Sequence, residues 1–503
     1  MRNIQSYADI ETARDKGELT PAEEQFIDCC REGRLCELNH GTRPAAPNPT
    51  HKIGADLLRY LITGGGEGCV LHDRGVRLAG AYVANPLELD FATAKGATTL
   101  ENCHFEHKIN ATHTQFEQLS LEGSHLSQGL FAQAAKVTGS IFLRNGFVAT
   151  GLVDLNSTDI GGQLNCAASH FIVTKGDALN AQGAKIAGGV FLSDGFTAKG
   201  PVDFTNADIG VQLNCDEGSF KREKGIALQL QDSRAKAFFW RKITAISGKL
   251  DLNGAHFSEI TDDQDSWDRV DRVDSLTLTG LTYDHLTSPG DTRKRLEWLG
   301  KGDRMNGEFS PQPYTQLAKV LRDMGHDGDA RRVLITKEDR LRHARTSGLA
   351  PITRTRNFLF RWLVGYGYRP FNCLWALVLM IAIGSFVAQR AWNAGDFTPN
   401  SDVILSTADW QNLAEDDTIK NPALEWSDRT AKGRDYETFQ PIAYGFDVVV
   451  PIVNIGQEAA WAPSTTRGPC GWHLWWLRWV LSILGWVVTA VGAAAITGII
   501  RQD

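Results

Sequence analysis

Apolar and polar residues alternate over very short stretches in the first half of the chain, as in Ile141 and Leu143, Val153 and Leu155, or Leu164 and Cys166. Alternation of period two marks a strand with one buried face. Each run is interrupted after a few residues by glycine or asparagine, which tolerate turn conformations. Strands this short are not stable alone, so their order has to come from stacking on neighbours.

The stacking is written into a repeat. VDLNSTDIGGQLNC, from Val153, returns as VDFTNADIGVQLNC, from Val202, with nine of fourteen letters identical at an offset of 49 residues. AKVTGSIFLRNGF at 135–147 returns as AKIAGGVFLSDGF at 184–196 with the same offset. A shorter echo, an aliphatic residue with glycine within two positions and Leu or Cys six positions on, begins at Val137, Ile160, Ile186 and Ile209, in steps of 23, 26 and 23. The 49-residue unit is therefore two coils. A fixed period of this size predicts a parallel β-solenoid. Looser copies at Gly75, Phe116 and Ile246 extend it over 75–285, a rod on the order of 40 Å long at one strand spacing per coil. In that frame the recurring Cys166 and Cys215 are small core residues rather than a duplicated active site. Asp154 and Asp203, alternating with inward residues, are expected to face solvent.

Helical signals flank the array. Thr20, Pro21 and Glu23 form a capping box with proline at the first helical position, and IGADLLRYLI adds a second helix, so 1–74 is expected to be a helical N-terminal cap. From Pro313 the period becomes helical: Leu317, Val320 and Leu321 share one face, and Val333, Leu334 and Leu341 another after a Gly-Asp break. This predicts an αα hairpin within a helical adaptor at 286–350.

Two apolar runs follow, Phe371–Gln389 and Trp479–Ile500, uncharged for nineteen and twenty-two residues. Each reaches the roughly 20 residues a membrane span needs, so 351–503 is expected to be a two-span module in the lipid bilayer. Seven arginines (340, 342, 345, 354, 356, 361, 369) precede the first run and Arg501 follows the second, whereas 392–474 carries twelve acids against five bases. The asymmetry predicts both termini in the cytoplasm and 392–474 outside the inner membrane. Trp475, Trp476 and Trp479 suit the interface where the second span enters. Ala490, Ala494 and Gly498 fall four apart and offer a small-residue face for helix packing within or between chains.

Between the runs, FQPIAYGFDVVVPIVNIGQEAAW at 439–461 is too short to span and is broken by Pro451. A re-entrant or interfacial helix fits it. The order span, outer loop, short apolar helix, span is that of a two-helix pore, in which Asn454, Gly456, Gln457 and Glu458 would supply carbonyls or a charged ring. The alternative is an amphipathic helix lying on the outer leaflet.

A net charge of −7 gives no global argument for nucleic-acid binding. Nine cysteines, an odd number without framework spacing, read as reduced thiols, and the first nineteen residues lack the apolar core of a signal peptide. Cys29, Cys30, Cys36 and His40 lack zinc spacing, TGGGEGC lacks the ending of a phosphate loop, and DDQDSWDRVDRVD lacks the glycine of a calcium loop. No catalytic residue, metal or cofactor is nominated.

GVRLAGAYV, the repeat units, PYTQLAKVLRDMGHDGDARRVLITKEDR and the 439–461 segment together resemble a bacterial family of membrane-anchored, pentapeptide-like β-helix proteins. Some of its members are labelled membrane-associated oxidoreductases. The resemblance implies architecture and membrane location. The expected function is non-enzymatic: a cytoplasmic solenoid receives a protein or small-molecule signal and is coupled to a homo-oligomeric, ion-conducting membrane module, with a static membrane scaffold as the alternative and an enzyme third.

The charge asymmetry yields a topology test. A reporter fused after Asp503 and one inserted near Asn421 are expected on opposite sides of the membrane; signals from the same side would eliminate the two-span reading.

Overall fold

The computed structural model describes residues 2–270, 275–287, 290–305, 307–346, 363 and 371–497. It divides into two compact units, Met1–Leu341 and Arg342–Asp503.

The first unit is a parallel β-solenoid of about nine turns. A middle coil contributes four strands of two or three residues, for example Gln118–Ser120, His125–Leu126, Leu130–Phe131 and Lys136–Val137. Every one of these strands pairs in parallel with its counterpart in the next coil. The chain bends between strands on residues in the left-handed region, one column being Asn102, Gly123, Asn145, Ala168, Asp194 and Glu217. This is why asparagine, aspartate and glycine punctuate the sequence.

The array starts before residue 75. Cys36–Glu37 pairs with Leu78 and Ala79, and Lys52–Ile53 with Tyr82 and Val83, so strands of the first coil lie inside the stretch expected to be only cap. The helices Pro21–Glu32 and Ala55–Ile62 are as expected, with the Thr20–Glu23 capping box formed. Arg2 reaches Glu23 and Asp56 and ties both helices to the N-terminus.

Phe147, Phe171, Phe196 and Phe220 stack coil upon coil at centroid distances of 5.6, 5.4 and 5.6 Å. The stack continues through Trp240 and Trp267 to Trp298. Trp298 lies on the helix Thr292–Gly302, where Arg295 forms an ion pair with Asp262, both side chains less than a tenth exposed. The helix Gln312–Asp323 is also bound to the last coils: the Gln312 and Gln316 amides donate to the carbonyls of Leu281 and Tyr283. The expected helical adaptor, through Leu341, is thus part of the solenoid unit and covers its final edge, which would otherwise offer unpaired backbone groups.

The aspartates of the repeat correct an expectation. Asp154 is buried, accepting hydrogen bonds from Gln133 Nε2 at 2.7 Å and the Asn156 N–H at 3.1 Å. Half-buried Asp203 accepts from the Thr205 N–H at 2.7 Å. Asn180 and Asp251 do the same two residues on. With only two residues per strand the alternate position is already at a corner, and the side chain folds back to satisfy the turn. The repeat conserves a bend rather than a solvent-facing ladder.

Cys166 and Cys215 are fully buried, and burial raises both thiols well above their usual range. Both are expected to resist thiol reagents in the folded protein, and either Cys→Ala change is expected to cost on the order of 1 kcal/mol in thermal unfolding. Rapid labelling of both sites would contradict this core.

Candidate functional site

The second unit holds two helices long and apolar enough to cross a membrane, Asn372–Asn393 and Pro469–Ile496. The buried stripe of the second helix is Leu481, Gly485, Val488, Gly492 and Ala495, at spacings of four and three; Leu481 meets Gly384 and Gly492 meets Cys373 of the first helix. Ala490 is exposed and Ala494 half-buried, so the expected small-residue face is not the main seam with the first helix. Gly498 lies outside the described residues.

A short helix, Pro441–Val449, packs on both. Its start is held at the end of the first apolar helix, where Phe439 stacks on Trp392 at 4.3 Å. Midway it meets Gly384 and Ser385, eight or nine residues before Asn393, or about 12 Å of helical rise. A Cβ on Gly445 would stand 2.4 Å from Ser385 Oγ and 2.7 Å from the Ile381 carbonyl oxygen. At the helix end, a Cβ on Gly485 would lie within 1.9 Å of the Val449 oxygen. Glycine is required at both places because backbones touch. The short helix therefore runs alongside the two apolar helices, from the end of one to the middle of the other.

The chain then turns at Pro451 and comes back. Ile452 is 74% exposed and Val453 and Ile455 are each 47% exposed. Asp447, buried on the short helix, closes the turn: its Oδ1 accepts the Ile455 N–H at 2.7 Å and its Oδ2 the Glu458 N–H at 2.9 Å. Pro451–Gly456 is a non-helical return segment, and Trp461 ends beside Trp392 at 4.9 Å. Helix in and irregular chain out, bracketed by one aromatic cluster, make a closed helix–turn hairpin.

The four residues nominated from sequence are brought together but take different roles. Asn454 is exposed, and its Oδ1 caps the Gly456 N–H at 2.8 Å. Gly456 supplies the turn at φ +97°. Gln457 is buried, accepting from the Gln440 N–H and donating to Glu437 Oε1 and the Thr438 carbonyl, which fastens the two ends of the hairpin together. Glu458 is half-buried and 4.0 Å from Arg478 of the second apolar helix. Asp447, Arg478, Gly445 and Gly485 were not singled out in the sequence. The visible signal was Asp447, a single acid inside GFDVVV, where an apolar run retains a charge only with partners.

The surrounding loop is a folded cap on this hairpin. Phe397–Pro399 pairs antiparallel with Trp461–Pro463, and Trp392, Phe397, Phe439, Tyr444 and Trp461 form one aromatic core. Among the described residues no group of three or more His, Cys, Asp or Glu is placed to hold a metal. No protein-family profile, curated protein or solved structure matches the chain.

Removing the closing carboxylate tests the hairpin. Asp447→Ala leaves the Ile455 and Glu458 N–H groups without their acceptor and is expected to cost about 1–3 kcal/mol. Gly485→Ala is expected to destabilise at least as much, because its methyl has no room against Val449. Both are measured by thermal unfolding of the detergent-solubilised protein; wild-type stability in both variants would contradict the packing.

Proposed function

We propose that the protein is a two-pass membrane protein of the inner membrane, in which several copies of the Arg342–Asp503 unit surround an ion pathway lined by their re-entrant hairpins. The cytoplasmic solenoid receives a signal that sets the state of this pathway. The observation that carries this reading is the Pro441–Val449 helix packed on two span-length apolar helices and followed by an exposed apolar turn. A soluble protein gains nothing from presenting Ile452, Val453 and Ile455 on an exposed turn, whereas a ring of such turns around an axis encloses a narrow apolar passage next to backbone carbonyls. The arginines before the first apolar helix and the acidic balance of 392–474 support cytoplasmic termini.

The static-anchor alternative has its own supporting observation. Gln457 is used up in fastening the hairpin, and Glu458 faces Arg478, so two of the nominated residues have structural partners. Conductance separates the two readings. Wild type reconstituted in planar bilayers is expected to conduct, and Glu458→Gln to change ion preference with assembly intact, because low-dielectric walls focus the field of a charged ring. Silence from correctly assembled protein of both kinds supports the anchor.

A further inference from the structure

The 49-residue duplication has a structural product beyond its core. At one corner of the solenoid most coils cross in five residues, as from Val148 to Val153 and from Thr197 to Val202. The coils on either side of the second take nine, from His170 to Leu179 and from Ser219 to Leu228. Each adds four extra residues, the first turning on Gly176 at φ +87° and the second bulging out of the strand Ser219–Gln229 at Gly225, φ +98°. The duplication thus raises two matching walls, two coils or roughly 10 Å apart. The short corner Lys199–Gly200–Pro201 lies between them as a floor. It is tied to both walls, since the Val173 N–H donates to the Lys199 carbonyl and the Gly200 N–H to the Lys221 carbonyl, each at 2.9 Å.

The slot has a volume of about 630 Å³. Lys199, Lys221, Arg222 and Lys224 line it against one acid, Glu223. Lys199 and Lys221 are direct register partners in neighbouring coils, an arrangement that costs stability when both are charged. Among the described residues, Lys199, Lys221 and Lys224 have no carboxylate within ion-pair distance. In a chain with net charge −7 this local excess is opposite to the whole. Insertions that project from one side of a solenoid often form its binding face.

We infer that this slot binds a compact phosphoryl-bearing anion. The lining has no aromatic ring for a base to stack on and carries four cationic side chains, so recognition is by charge. Phosphoryl oxygens match the ammonium groups of the lining and the Arg222 guanidinium, and their arrival converts the Lys199–Lys221 repulsion into shared attraction. The slot is too narrow for a nucleic-acid duplex. It supplies the ligand class for the signal-receiving role proposed above and rests on that reading for its place in the cell, but binding is measured without reference to conductance, so either can fail alone.

The experiment is calorimetric titration of the detergent-solubilised full-length protein at low salt with inorganic pyrophosphate. A parallel flotation assay uses phosphatidylcholine vesicles with and without phosphatidylglycerol. The Lys199→Gln/Lys221→Gln double variant is expected to lose at least tenfold in affinity while its thermal midpoint without ligand stays level or rises, since a repulsion has been removed. Lys136→Gln, an exposed lysine on a different ladder, is expected to bind as wild type does. Pyrophosphate binding lost only in the double variant identifies a soluble phosphoryl ligand; vesicle binding alone, lost in the same variant, identifies a lipid headgroup. Absence of both, wild-type affinity in the double variant, or equal loss in Lys136→Gln overturns the inference.

Discussion

Every feature of the first unit depends on the parallel backbone ladders between successive coils. A two-residue strand makes too few hydrogen bonds to persist alone, and it gains permanence only when the coils above and below repeat its position. Strand positions are therefore fixed within the array, and inward residues must recur in columns. The phenylalanine stack from Phe147 to Phe220 is one such column, and the buried Cys166 and Cys215 belong to another inward set. Freedom is left at the corners, where length can change at the cost of no more than a local register shift. The paired insertions at Val173–Gly176 and Arg222–Gly225 use that freedom.

The second unit obeys a different constraint, the closeness of backbones. Gly445 against Ser385 and Gly485 against Val449 allow the short helix to enter between two long apolar ones with no side chain intervening. A buried carboxylate then does what further helix would do elsewhere: Asp447 takes up N–H groups that the turn at Pro451 leaves open. Gln457 locks the ends. The hairpin is held by polar contacts within an apolar setting, where their loss is expensive.

The solenoid was legible because its signal is periodic: the offset of 49, its division into two coils and the inward cysteines follow from spacing alone. Its start was less legible, since the Cys36 and Lys52 strands have no repeat before them to align with. The turn role of Asp154 and Asp203 was hidden because alternation says nothing about how soon a strand ends. The two apolar helices and the broken segment between them were visible in composition. Which residues fasten that segment was not, because the partners of Asp447 and Gln457 are backbone groups, which sequence does not distinguish. Gly445 and Gly485 look like ordinary glycines until three helices converge on them.

In the proposed reading each chain supplies a single hairpin to the pathway, which therefore requires several copies around an axis. The most direct measurement is native mass spectrometry of the full-length protein released from lipid nanodiscs. The account predicts one discrete closed oligomer of several copies. A folded protein that remains a monomer at every concentration would contradict it.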